Sequence, residues 1–435
     1  MKKFVSIFIL ILIVLNSFTI VYGEDNSLNP SAIIGEAAIL IDGNTGEILF
    51  EKNIHKQMFP ASTTKMLTGI LAIEKGNFDE IVTVDAETPY EIDGAHIALE
   101  PGEKLKFKDL VNATLIESAN DAAVVLAKHI SGSVPEFAGL MNKKAQEIGA
   151  KNSNFVNPNG LPNDEHLTTA YDLAMIAKYA MENEQFRDIV KNYQYTIEPT
   201  NIKDEKRFMQ SSNKLLYSKN NIEVNGKVVD IKYDGAIGVK TGYTTVAQQC
   251  YVAAAERDGR MLISVVLKSV SNNIWIDTHK LLNYGFDNYN SVNLGFKNEF
   301  IKNIEVDNGD SDFVTGIIGE NVSVTVPKGF ENAIEKNIVL KDKIEAPISK
   351  GQVLGQVEYI SDSEVIATAN IVSTSDISLT GMYKAMSKTS LHPEFNLWWL
   401  SIILLFIIWR FIVIKRRAKR KRRFSRNNLT YKGKY

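Results

Sequence analysis

One cysteine, Cys250, stands in 435 residues, so no disulfide can form within the chain. A small scaffold that depends on cross-links is thereby excluded. There is no H-E-x-x-H pair, no cysteine cluster and no P-loop, so metal-dependent hydrolysis and nucleotide chemistry lack their usual donors and no cofactor is expected. Asp307, Asp310 and Asp312 lie close together but read as a solvated loop rather than a calcium site. The net charge of −2 conceals an asymmetry. Lys2, Lys3, Arg410 and the basic residues beyond it lie outside the span from Glu24 to Glu394 that holds every acidic residue; without them 35 basic residues face 51 acidic ones, a balance of −16. That balance argues against nucleic acid or other polyanions as charge-selected partners. Cys250 itself falls in the apolar run Cys250-Tyr251-Val252-Ala253-Ala254-Ala255 and reads as core rather than nucleophile.

The two ends carry targeting patterns. Met1-Lys2-Lys3 followed by the apolar run Phe4 to Leu15, with compact residues at Val21-Tyr22-Gly23, predicts a signal peptide over residues 1–23. At the other end the apolar stretch 397–414, interrupted by Arg410, is just long enough for a bilayer core of about 30 Å. Arg410 can snorkel toward the interface, and Trp398 and Trp399 stand where an aromatic belt belongs. The cluster from Lys415 to Arg423 predicts a tail, residues 415–435, held in the cytoplasm. The expectation is a single-pass cell-membrane protein with its folded part outside.

Between the ends, two hairpins bracket a mostly helical region. The first is Ala37 to Asp42, the turn Gly43 to Gly46, then Glu47 to Phe50. The second turns at Asp258-Gly259 and joins the Cys250 strand to Met261 to Leu267. Helical patterns run from Lys108 to Glu117, Asp121 to Ile130 and Glu136 to Ile148. Antiparallel strands from both ends of a domain, with helices between, predict an α/β sandwich over residues 24–290. From about Asn293 short β-rich runs such as Val322 to Val326 and Val353 to Tyr359 predict a small all-β domain, residues 291–390.

Three short patterns then stand out in fixed order: Ser62-Thr63-Thr64-Lys65, Ser118-Ala119-Asn120 and Lys240-Thr241-Gly242. A serine hydroxyl is a poor nucleophile until a positioned base takes its proton. Pro60-Ala61 leads into the apolar helical run Met66 to Ile73, which stops near Gly76. Ser62 and Lys65 therefore share a helix face at i and i+3, near the positive end of the helix dipole. Lysine becomes a base only when burial and a second cation depress its pKa, and Lys240 can be that cation. Ser118 and Asn120 occupy the joint between two helices. Lys240 and Thr241 end a strand where they can bind a carboxylate, and Gly242 lets a ligand backbone approach.

Together, in this order and behind an export signal, these patterns resemble the serine-type penicillin-binding proteins, most closely the low-molecular-mass D-alanyl-D-alanine carboxypeptidases. The segments Phe155 to Leu161, His166 to Ala174 and Ser212 to Leu216 extend the likeness. The resemblance implies a penicillin-binding, β-lactamase-like sandwich: an antiparallel sheet with flanking helices, then the all-β domain and a transmembrane helix. It implies that Ser62 attacks the D-Ala–D-Ala carbonyl of a peptidoglycan stem peptide with Lys65 as base. Ser118 would relay a proton to the leaving amine, and Asn120 would orient Lys65 and the substrate amide. The backbone N–H groups of Ser62 and Tyr243 would form the oxyanion hole, with Lys240, Thr241 and Gly242 binding substrate. β-Lactams would acylate the same serine. No role is carried onto His166, while Thr169 with Asp172 reads as a helix cap. Two departures stand against the family pattern: Ala247-Gln248-Gln249-Cys250 replaces an Ala-Gly pair, and Asn272-Asn273-Ile274-Trp275 lacks a substrate-binding arginine. Carboxylate recognition would then rest on Lys240 and Thr241, helped by Lys268. The rival readings are a D,D-endopeptidase, a β-lactamase, which the second domain and the membrane span disfavour, and a non-catalytic wall scaffold with a relic site.

Overall fold

The computed structural model describes residues 27–381 and 398–427. The signal-peptide expectation lies outside the described residues. The described residues form two compact units: those up to Leu294 with Val322–Glu335 and Tyr359–Ala367 form one, and Gly295–Asn321, Lys336–Glu358 and the described residues from Thr368 form the other.

The first unit is built on a five-stranded antiparallel sheet. Its strands are β1 (Ala37–Asp42), β2 (Ile48–Lys52), β3 (Ala236–Thr244), β4 (Gln248–Arg257) and β5 (Arg260–Ser269), in the order β2-β1-β5-β4-β3. The expected turn at Asp258-Gly259 joins β4 to β5 with φ of 53° and 77°, the positive angles that a two-residue hairpin matching strand twist requires. Side chains alternate across the sheet. Ile39, Ile41, Val252, Ala254, Ile263 and Val265 face one apolar core, while Leu40, Ala253, Leu262 and Val266 face another with Leu281 and Leu282. Because both faces are covered, the strands read as continuous apolar runs rather than alternating ones.

The first core belongs to the helices. Helix α1 (Lys65–Lys75) buries every residue from Lys65 to Ile73, as a helix enclosed on all sides must. It stops at Gly76, where a Cβ would come within 2.1 Å of the Phe107 ring. Around it lie α2 (Phe107–Asn112), α3 (Asn120–Ser131), α4 (Val134–Glu147) and α5 (Ala170–Glu182). The stretch expected to be one helix to Glu117 instead widens from α2 into a π turn over Ala113–Glu117, a form that concentrates at functional sites. Thr169 caps α5 by accepting from the Asp172 N–H at 3.0 Å. The second core is closed by α6 (Asn273–Asn288).

Three short hairpins break the region expected to be helical: Ile81–Thr83 with Lys104–Lys106, Gln194–Ile197 with Arg207–Gln210, and Asn221–Val224 with Lys227–Asp230. Their strands have three or four residues, too few to display a period, although Asn225-Gly226 is a strong hairpin signal in its own right.

The all-β character expected after residue 291 is present. Strands β6 (Phe300–Glu305), β7 (Phe313–Ile318), β8 (Glu335–Leu340), β9 (Val353–Ser361) and β10 (Glu364–Ser373) form one sheet in the order β6-β7-β10-β9-β8. Among the described residues no cluster of His, Cys, Asp or Glu can hold a metal. Residues Trp398–Asn427 form a single helix, α7. Among the described residues no helix is long and apolar enough to cross a membrane; the apolar part of α7 runs from 398 to 414 with Arg410 inside it, and Leu397 lies outside the described residues.

Candidate active site

The three sequence patterns meet at one open cleft of about 520 Å³, lined by Ser62, Ser118, Thr241, Gly242 and Tyr243 among others. Ser62 lies in a 3₁₀ turn, Ala61–Thr64, that runs straight into α1. Thr63 and Thr64 secure the turn by donating their hydroxyls to the carbonyls of Pro60 (2.7 Å) and Ala61 (2.9 Å).

One turn later Lys65 is wholly buried. Its Nζ lies 2.9 Å from Ser62 Oγ, 2.6 Å from Asn120 Oδ1 and 2.7 Å from the Asn159 carbonyl oxygen. Burial holds its pKa well below the ordinary lysine value, and the Lys240 charge depresses it further, against the opposing pull of Asp121. A neutral amine has two N–H donors and one lone pair. Asn159 O can only accept. Asn120 is oriented by its own Nδ2, which donates to the Asp93 carbonyl at 2.6 Å, so its Oδ1 also accepts. Both donors are thus committed, and the lone pair is left facing the Ser62 hydroxyl.

The second pattern is placed by the π turn. Ser118 follows it with φ 69° and ψ 28°, in the left-handed region that non-glycine residues populate sparsely. Ser118 lines the cleft, while Asn120 begins α3 and donates its N–H to the Ala95 carbonyl at 2.7 Å. Asp121, buried behind it, accepts the backbone N–H groups of Ile97 and Leu99 and so ties the 93–99 loop to the motif.

The third pattern ends the edge strand β3. Lys240, Thr241 and Gly242 stand opposite Val252, Tyr251 and Cys250 of β4. Lys240 is buried, and burial brings its pKa down to about 7, partly opposed by Glu117. Thr241 Oγ1 is hydrogen bonded to the Ser212 hydroxyl. A Cβ on Gly242 would come within 2.9 Å of the Ser62 nitrogen and 3.1 Å of the Pro60 oxygen, so only glycine lets this strand lie against the serine turn. The Tyr243 side chain is 59% exposed and forms cleft wall, as its type suggests.

Sequence reasoning missed the Asn159 carbonyl, because a backbone acceptor has no residue signature. It also left His166 without a place. His166 Nδ1 accepts from the Val156 N–H at 3.1 Å, and Nε2 stands 2.9 Å from Thr64 Oγ1. The proton therefore sits on Nε2 and is donated to Thr64. Burial lowers the pKa of this ring to about 4, so it is a neutral brace beneath the serine turn. Lys268 is not where the sequence suggested: its ammonium pairs with Glu36 at 2.7 Å, outside the cleft lining. Asn272 and Trp275 do line the cleft, as does Gln249 of the departing Ala247-Cys250 segment. Cys250 is buried and its thiol pKa is pushed up to about 12, which fits a core residue.

Comparison with known proteins agrees with this geometry. Residues 24–271 match the D-alanyl-D-alanine carboxypeptidase family, and residues 289–378 match the C-terminal domain of penicillin-binding protein 5. The chain is 32% identical over 400 residues to the D-alanyl-D-alanine carboxypeptidase DacF of Bacillus subtilis (strain 168), covering 89% of this chain and 98% of that one. It is 31% identical over 367 residues to the carboxypeptidase DacA of Haemophilus influenzae, covering 82% and 88% respectively. The crystal structure of penicillin-binding protein 5 from Haemophilus influenzae superposes with a TM-score of 0.70 at 30% identity, over 81% of this chain and all of that one. With its serine turn, buried amine and edge-strand lysine already found at one cleft, the chain belongs to the D-alanyl-D-alanine carboxypeptidase family of low-molecular-mass penicillin-binding proteins.

Proposed function

We propose that this chain is an exported, membrane-tethered serine peptidase that removes the terminal D-alanine from peptidoglycan stem pentapeptides. Membership of the carboxypeptidase family gives the activity. The observation that carries the mechanism is the Lys65 amine, whose two donors are spent on Asn120 and Asn159 and whose lone pair meets Ser62 at 2.9 Å. Ser62 Oγ bonds to the carbonyl carbon of the penultimate D-alanine while its proton passes to Lys65 Nζ. The oxyanion forms at the N–H groups of Ser62 and Tyr243, donors that are typically worth about 3–4 kcal/mol each. The C–N bond then breaks, and the departing D-alanine amine takes a proton relayed by Ser118. Water attacks the Ser62 ester, giving a proton to Lys65 Nζ, which returns it to Ser62 Oγ 2.9 Å away as the ester C–O bond breaks and the shortened peptide leaves. A β-lactam acylates the same oxygen, but its opened ring stays attached and blocks that water.

A scaffold with a relic site has no use for such an arrangement. A buried amine whose pKa burial pushes down disfavours folding wherever the unfolded lysine still holds its proton, a liability that function explains. Incubating the full-length protein with stem pentapeptide is expected to give a product lighter by one alanine, with no product from Ser62→Ala. An unchanged pentapeptide with wild type would contradict the reading.

For the tether, residues 1–23 act as the export signal and the apolar stretch 397–414, which begins before the described part of α7, crosses the membrane once. Seventeen helical residues rise about 25 Å, close to the core thickness, and the basic cluster after Ile414 keeps the tail in the cytoplasm. After export, the protein should resist extraction of membranes with alkaline carbonate, and truncation before Leu397 should release it. Release of the full-length chain by the same wash would refute the span.

A further inference from the structure

We propose that Lys214 is the cation that anchors the substrate's terminal carboxylate in this chain. The inference rests on the carboxypeptidase reading, and it concerns which residue selects a free C-terminus. A D-Ala-D-Ala peptide ends in a carboxylate, which accepts hydrogen bonds only and carries a full negative charge. The cleft must meet it with donors and positive charge, or its desolvation is uncompensated.

Few groups in the cleft can do this. Lys240 is buried, donates to the Thr241 carbonyl at 3.1 Å and already serves to depress the Lys65 pKa. Lys268 is paired with Glu36. At the position of the missing arginine the cleft presents Asn272, an uncharged side chain. Lys214 remains: it lines the cleft and forms no ion pair among the described residues.

The backbone around Lys214 is built to hold it there. Asn213 accepts from the Leu215 N–H at 3.2 Å and from the Tyr251 hydroxyl at 2.5 Å. Tyr251 stands opposite Thr241 in the sheet and packs edge-on against Trp275, ring centroids 5.1 Å apart. The Leu215 carbonyl accepts from the Tyr233 N–H at 3.0 Å, and the Lys214 carbonyl from the Ser218 N–H at 2.9 Å. The segment is therefore fixed to the strand that carries Thr241.

Hydroxyls supply the remaining donor. Ser212 and Thr241 share one hydrogen bond; whichever hydroxyl donates, the other keeps its O–H free for an incoming acceptor. One O–H and one ammonium on the same wall make a two-point seat for a carboxylate, with the charge-assisted contact the stronger of the two. Glu117, the acidic group in the lining, is turned to the Gln210 N–H at 2.9 Å. Its charge disfavours a carboxylate beside Ser118 and directs it toward Lys214.

The test uses the full-length protein and two probes, an N-acylated D-Ala-D-Ala peptide and its C-terminal amide. Wild type should favour the free acid. Lys214→Met should lower kcat/KM for the acid about tenfold or more, mainly through KM, as expected for a lost charged contact. It should lower the amide rate far less, because the amide carbonyl accepts the same hydrogen bond without a charge, so the preference collapses. Lys214→Arg should retain the preference, and Lys214→Met combined with Asn272→Arg should recover part of it. Equal losses on both probes would mark Lys214 as merely structural, and an unchanged preference would exclude it; either outcome overturns the anchor while leaving the peptidase reading standing. Failure of wild type to process either probe would overturn the peptidase reading and the anchor together.

Discussion

Lys65→Met is expected to slow acylation of Ser62 by on the order of 10²–10⁴-fold, the range associated with loss of a positioned general base. Methionine fills much of the lysine volume, so the effect is chemical rather than a cavity. It removes the lone pair 2.9 Å from Ser62 Oγ and leaves the hydroxyl with no group to take its proton. Stopped-flow acylation by a chromogenic β-lactam reads the rate. A second signature follows from proton linkage. In the unfolded chain Lys65 holds its proton up to about pH 10.4, whereas the folded protein releases it at lower pH because burial and Lys240 disfavour the charge. Between those limits the unfolded state binds more protons, so wild-type stability rises with pH until the unfolded lysine also titrates. Lys65→Met lacks that rise. Equal pH slopes in the two proteins, from denaturant titrations between pH 7 and 10, would mean that Lys65 is charged in the native state.

Gly160→Ala should disable the site without touching any side chain that takes part in the reaction. Gly160 has φ +85°, and a Cβ there would fall 1.9 Å from the Ala61 carbonyl oxygen and 2.9 Å from Thr64 Oγ1. Neither the left-handed angle nor the backbone contact can be accommodated by moving a flexible side chain. The left-handed angle and the overlap each cost roughly 1–3 kcal/mol, and the strain falls on the turn that carries Ser62 and on the Asn159 carbonyl that holds Lys65. Acylation should fall at least 100-fold, because displacements of about 1 Å at a reacting group have effects of that size, and stability should fall by about 3 kcal/mol. By contrast, Gly226→Ala meets no atom within 4 Å and should retain full acylation. An active Gly160→Ala protein would show that the 157–160 turn does not support the serine.

How much of this was legible in the chain depends on what kind of signal each part leaves. Ser62 and Lys65 could be paired because helical spacing alone puts them on one face, and Gly242 because a strand ending in glycine announces a close approach. The sheet was readable from its two terminal hairpins, whose apolar runs and Asp258-Gly259 turn are strong local patterns. Asn159 was not readable, since its contribution is a carbonyl that any residue would offer; only the φ requirement at Gly160 beside it leaves a trace. His166 acts through a neutral ring that braces Thr64, and nothing in a lone histidine distinguishes that from a surface position. Lys268 was misplaced because closeness to the cleft along the chain does not say which carboxylate the side chain meets, and Glu36 captures it. Lys214 was visible inside Ser212-Asn213-Lys214-Leu215-Leu216 but had no role until the Asn213–Tyr251 contact located it on the cleft wall.

Acylation of Ser62 by a D,D-peptidase inhibitor can be read on the protein itself. The most direct measurement is the intact mass of the full-length protein after brief exposure to benzylpenicillin, followed by peptide mapping, with Ser62→Ala in parallel. One long-lived adduct of the inhibitor's full mass is expected, located on the peptide containing Ser62 and absent from the variant. An adduct elsewhere, or one that forms equally on Ser62→Ala, would contradict it.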